Sequence, residues 1–164
     1  PLTDDKILTS WNGLMIRGFA DAGRVLEQPR YIESAEKAAT FLLAKLSTPE
    51  GRLLRTYRGG EAKLNAYLVD YAFLVEGLIA LHRATGKQKW LGEADRLMKI
   101  QLELYWDDVN GGFFFTSNDH ESLLARGKDP IDGAQPAGNS VAVQNLVYLG
   151  RELDNKEYLE RAGR

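Results

Sequence analysis

The sharpest grouping of reactive side chains is Asp119-His120-Glu121, which sets one of the chain's two histidines between two carboxylates. Such flanks favour imidazolium and suit His120 to proton transfer near neutrality. A solvated polar loop has the same composition, so that reading stands beside the catalytic one. Asp70 is the second candidate, with Tyr67 and Tyr71 around it. From Leu64 to Leu81 the only other charge is Glu76. A carboxylate on so apolar a stretch is costly unless something satisfies it. It can do acid–base work or cap the start of its own helix. Arg126, Lys128, Asp129 and Asp132 form a mixed charge run that could hold a carboxylate or phosphate, or simply face water. Asn139 and Ser140 offer a helix cap or an anion-binding amide cluster. Trp11 and Asn12 divide between cavity wall and plain packing.

Other chemistries are excluded or unsupported. There is no cysteine, which removes disulfides, thiolate catalysis and zinc–sulfur sites within this chain. Asp107, Asp108 and Asn110 resemble a calcium loop, but Trp106 would hold the first ligand position. We therefore expect no metal. No GxSxG, nucleotide or zinc motif is present, and no cofactor is expected. The net charge of −2 gives no case for nucleic acid or acidic membrane surfaces. No uninterrupted apolar run approaches the roughly 20 residues of a membrane span. A cysteine-free chain without a signal peptide is expected in the cytoplasm.

The elements that must position these residues are helical. The longest apolar stretch, residues 64–85, reads as a helix apolar on almost every side and hence buried on almost every side. Gly86 is its stop signal. Helices are also expected at 11–26, 30–46, 88–105, 138–153 and from 156 onward, with Thr9 or Ser10 capping the first and Pro29 opening the second. The segment 52–58 reads as a strand closed by Gly59-Gly60. Asn110-Gly111-Gly112 reads as a turn into a strand of three phenylalanines.

The periodicity is more informative. PRYIESAEKAATFL, QKWLGEADRLMKIQL and KEYLERA each place an aromatic, an aliphatic, and an alanine three positions later. Each follows a nearly uncharged helix, so the repeat is one buried plus one amphipathic helix. Short and long joints alternate. Antiparallel hairpins then collect the long loops at one end, with the starts of the buried helices. Trp11, Asn12, Tyr67, Asp70, Asn139 and Ser140 should face that mouth. The expected fold is all-α: three helical hairpins over 1–164, part of an (α/α)6 toroid, with short β-hairpins in the long loops.

Three runs, DDKILTSWNGLMIRGFA, YLVDYAFLVEGLIALHRATG and GGFFFTSNDHESLLARGKDPIDGAQPAGNSVA, resemble the C-terminal part of the thioredoxin-domain-containing family of YyaL and spermatogenesis-associated protein 20 type. The resemblance implies a six-hairpin, glycosidase-type toroid related to N-acylglucosamine 2-epimerase, behind a thioredoxin-like domain that this chain lacks. It implies a fold more than a reaction. The expectation that follows is a carbohydrate-active or sugar-binding domain, epimerase-like or glycosidase-like, taking a small sugar. Asp70, His120 and Glu121 would be its acid–base groups, and Trp11, Asn12, Tyr67, Tyr71, Arg126, Asp132 and Asn139 its binding residues. The competing expectation is a non-catalytic helical scaffold coupled to the thioredoxin-like domain or a protein partner. The chain reads as a fragment of something longer, and its uncovered apolar faces are expected to drive self-association.

Overall fold

The structure is a computed structural model, and it describes residues 4–120 and 125–164. Glu121 lies outside the described residues. Among the described residues, six helices form three hairpins: α1 Thr9–Val25 with α2 Pro29–Lys45, α3 Leu68–Thr85 with α4 Gln88–Tyr105, and α5 Gly138–Glu152 with α6 Lys156–Ala162. Three short strands, β1 Ile7–Leu8, β2 Leu54–Arg58 and β3 Glu61–Asn65, make an antiparallel sheet in the order β1-β2-β3. Among the described residues, no helix is long and apolar enough to cross a membrane.

The buried helix is α3. Every residue from Leu68 to Leu81 is buried, as its lack of a polar face requires. α1 packs on it at the closest range helices allow. A Cβ on Gly13 would lie 2.6 Å from the Leu74 nitrogen, and one on Gly77 would lie 2.8 Å from the Gly13 carbonyl. On the other side, a Cβ on Gly138 would lie 3.1 Å from Val69. Asn145 then donates to the Ala72 carbonyl at 2.8 Å, further along both helices in the same direction. α1, α3 and α5 therefore run parallel and start together at one end, as the loop-length argument required. The outer helices α2, α4 and α6 carry the repeated aromatics Tyr31, Trp90 and Tyr158, the last two buried.

Several local expectations need correction. The apolar helix begins at Leu68, not at residue 64: Leu64 has φ +64° and lies in β3, a strand that propensity does not announce. Thr9 and Ser10 lie inside α1, not at its cap, which is Leu8. Thr9 donates its hydroxyl to the Leu54 carbonyl at 2.6 Å, and the Ser10 amide is used elsewhere. The phenylalanine run is not a strand. Its one ladder contact is a Trp106–Phe113 bridge, and the rest docks by single bonds: Phe114 to the Tyr105 carbonyl at 2.8 Å and Phe115 to the Gly127 carbonyl at 2.8 Å. Asn155 caps α6, its side chain accepting from the Tyr158 amide.

Candidate functional site

The starts of α1 and α3 are joined through Asp70. Its Oδ1 accepts the Ser10 amide at 3.0 Å. Its Oδ2 accepts the Tyr67 amide at 2.9 Å and the Arg55 guanidinium at 3.3 Å. Tyr67 is the N-cap residue and Asp70 the third helical position, so one carboxylate closes its own helix and the neighbouring one. Burial pushes the Asp70 carboxyl up, opposed first by the Tyr67 amide and then by Arg55 and Ser10.

Around this anchor lies an aromatic and cationic group. The Arg55 guanidinium sits 4.8 Å from the Tyr67 ring centroid. Tyr67 stacks on Phe115 at 4.9 Å, 17° from parallel. His120 lies 6.0 Å from the same ring, half-buried, with a solvent-shielded Nδ1 that has no hydrogen-bond partner among the described residues. The position of Phe115 is fixed by the Leu68 amide, which donates to its carbonyl at 3.1 Å. The loop carrying His120 is held by Asp119, whose carboxylate takes both Arg52 Nη atoms, Nη2 at 3.1 Å from Oδ1. Arg52 pulls the Asp119 carboxyl down to about 2.

The other sequence candidates occupy structural roles in this arrangement. Tyr71 is fully buried, and its hydroxyl accepts the Leu53 amide at 2.9 Å. Arg126 donates to the Thr116 and Leu104 carbonyls at 3.1 Å and covers the Phe114 ring. Asp132 accepts the Ala137 amide at 2.7 Å, just ahead of α5. Asn139 clasps Phe113 from both sides, accepting its amide at 2.7 Å and donating to its carbonyl at 2.9 Å. Asn12 donates to the Leu8 carbonyl at 2.9 Å. Trp11, in the first turn of α1, is 63% exposed. Asp107 has its oxygens filled by the Val109 and Asn110 amides, the Asn110 side chain and Lys128, the last at 2.7 Å. Lys128 and Asn110 hold its carboxyl well below the usual range. Among the described residues, no group of three or more His, Cys, Asp or Glu side chains could hold a metal ion.

Sequence reasoning missed Arg52, Arg55 and Phe115. The arginines lay in a segment read only as a strand, and the phenylalanine in a run read as another. Only the register of β2 against β3, with Leu54 opposite Asn65, brings Arg55 beside the cap of α3.

Comparison with known proteins places this geometry. The chain is 38% identical to human spermatogenesis-associated protein 20 over 98% of its own residues, spanning 22% of that protein's length. No family model matches. Among solved structures, cellobiose 2-epimerase from Spirochaeta thermophila superposes on 96% of this chain with a TM-score of 0.76 at 20% identity, over 41% of the epimerase. A GH76 α-mannanase from Bacteroides thetaiotaomicron superposes on 99% with a TM-score of 0.73 at 16% identity, over 45% of that chain. At these identities the likeness is one of fold. By sequence these 164 residues match a segment of spermatogenesis-associated protein 20, and their fold is part of a six-hairpin toroid like those of the sugar epimerases and GH76 enzymes.

Proposed function

We propose that this region forms one wall of the sugar-binding cleft of a carbohydrate-active toroid of epimerase or glycosidase type. The observation that carries the reading is the Tyr67–Phe115 stack, bordered by Arg55 and His120, at the end where three inner helices start. Flat rings beside a fixed cation and an imidazole suit the apolar face and the hydroxyls of a pyranose. The fold neighbours named for cellobiose and mannan chemistry support the same ligand class. In this reading His120 moves the proton. Asp70, with both oxygens engaged, positions Arg55 and Tyr67, and Trp11 supplies a further exposed ring at the same end.

The test is incubation of the full-length protein with D-mannose and with cellobiose in D2O, followed by NMR. Epimerase chemistry exchanges the proton at carbon 2 for deuterium, and glycosidase chemistry releases glucose from cellobiose. A specific observation favours the scaffold reading as the second: Tyr71, Arg126, Asp132 and Asn139 each already hydrogen-bond to backbone groups within the chain. The scaffold reading expects neither exchange nor release, and no sugar binding.

A further inference from the structure

We propose that the polar cavity between α1, α3 and α5, built around Glu76, is a second binding subsite, for hydroxyl groups of a neutral polyol. The inference rests on the sugar reading above. The cavity, of about 150 Å³, is lined by Arg17, Asp21, Glu76, Arg83, Gln144 and Tyr148, among others. All come from the three inner helices. Glu76 follows Asp70 by six residues on α3, which sets it roughly 9 Å further along the helix axis from the mouth.

Glu76 is 8% exposed, in the middle of α3, with only apolar residues and Gly77 between Tyr71 and Leu81 besides it. Arg17 satisfies one oxygen, with Nη1 2.7 Å from Oε1. The other, Oε2, is shut from solvent and has no hydrogen-bond partner among the described residues. A buried carboxylate oxygen lacking a donor is unfavourable, and packing alone would place an apolar side chain there. A molecule held in the cavity would supply the missing donor. Two arginines and two carboxylates cancel, so nothing there selects a charged ligand. The lining mixes donors (Arg17, Arg83) with acceptors (Glu76, Asp21), and Gln144 is both. Tyr148 stays a neutral phenol, pushed up by burial and by Glu152. A hydroxyl group, which donates and accepts, matches such a lining. The volume equals that of about five waters, room for part of a sugar and not for a large apolar ligand.

The test compares wild type with Glu76→Gln, Glu76→Met and Tyr67→Leu in the full-length protein. D-mannose affinity is read by ligand-observed NMR and folding by the melting temperature. The proposal expects both Glu76 variants to lose affinity at least tenfold while the melting temperature holds or rises. An orphaned buried charge that serves a ligand is a burden on stability once removed from function. Affinity unchanged in both Glu76 variants but lost in Tyr67→Leu overturns this subsite and leaves the mouth reading intact. No D-mannose binding by wild type overturns both. A readout independent of any variant is the carboxyl carbon resonance of Glu76 in the wild type. It should move on saturation with D-mannose, and a resonance that stays fixed means the cavity holds water only.

Discussion

Tyr158 of α6 donates its hydroxyl to Asp95 of α4 at 2.7 Å. The previous hairpin repeats the relationship: the Trp90 indole of α4 donates to Glu36 of α2 at 3.0 Å. Glu36 lies five positions after Tyr31, and Asp95 five after Trp90. Each repeat thus offers a carboxylate at one offset to the aromatic of the next. The alternation of buried and amphipathic helices is stitched together on its outer face by a recurring bond.

This stitch should be measurable. Tyr158→Phe removes a bond to a charged acceptor and keeps the ring, so stability should fall by about 1.5–2 kcal/mol. A double-mutant cycle with Asp95→Asn by urea denaturation should give a coupling near 1 kcal/mol. Zero coupling would mean that the bond contributes nothing.

The α1–α3 contact depends on two hydrogens where side chains would otherwise stand. Gly13→Ala forces a methyl into the Phe73–Leu74 backbone, which cannot yield as a side chain can. We expect a loss near the upper end of the ~1–3 kcal/mol seen for overpacking. Gly18, on the same helix, has nothing within 4 Å of its Cβ position. Gly18→Ala should therefore stabilise by about 0.5–1 kcal/mol through helix propensity. Equal effects at both positions, read from denaturant midpoints, would contradict the packing described.

The two carboxylates near the mouth should respond to acid in opposite senses. Asp119 is held at about 2 in the native state against a usual 3.8. Its contribution is present above 3.8 and disappears as pH falls towards 2. Asp70 is raised, so the native state binds its proton more tightly than the unfolded chain does. Its contribution is greatest below its usual 3.8 and declines as pH rises through the native value. Carboxyl-detected NMR should find Asp119 titrating near 2, and Arg52→Gln should return it towards 3.8. An Asp119 titration unmoved by that substitution would break the clamp on the His120 loop.

One face of α1 has no neighbour. Trp11, Met15, Val25 and Leu26 are each more than half exposed, at 63%, 55%, 67% and 60%. Met15 and Leu26 line a shallow groove with Phe19 and Tyr31. We expect the isolated chain to self-associate through this face, giving a mass above 18.3 kDa by light scattering. Met15→Glu should restore the monomer. A monomeric wild type at high concentration would contradict the expectation.

The fold was legible because its signals are periodic. The charge-free run around Phe73, the Gly86 stop and the aromatic–aliphatic–alanine repeat each specify an element without knowledge of the others. The mouth was legible in outline for the same reason. Its chemistry was not. Whether Asp70 reacts or caps depends on Ser10 and Arg55, which are distant in sequence and meet it only through α1 packing and the β2 register. Leu64 shows the same limit from the other side: an apolar residue beside an apolar helix was read into it, while the β2–β3 pairing holds it left-handed in a strand. Tyr71 was assigned to the mouth by its proximity to Asp70, yet adjacent helical positions point about 100° apart.

The most direct test of the account is a titration of the full-length protein with D-mannose and cellobiose, following ring resonances of Trp11, Tyr67, Phe115 and His120. The account predicts saturable shifts at Tyr67, Phe115 and His120, abolished by Tyr67→Leu and unaffected by Gly18→Ala. Resonances at these rings that stay fixed at saturating concentrations of both sugars would contradict it.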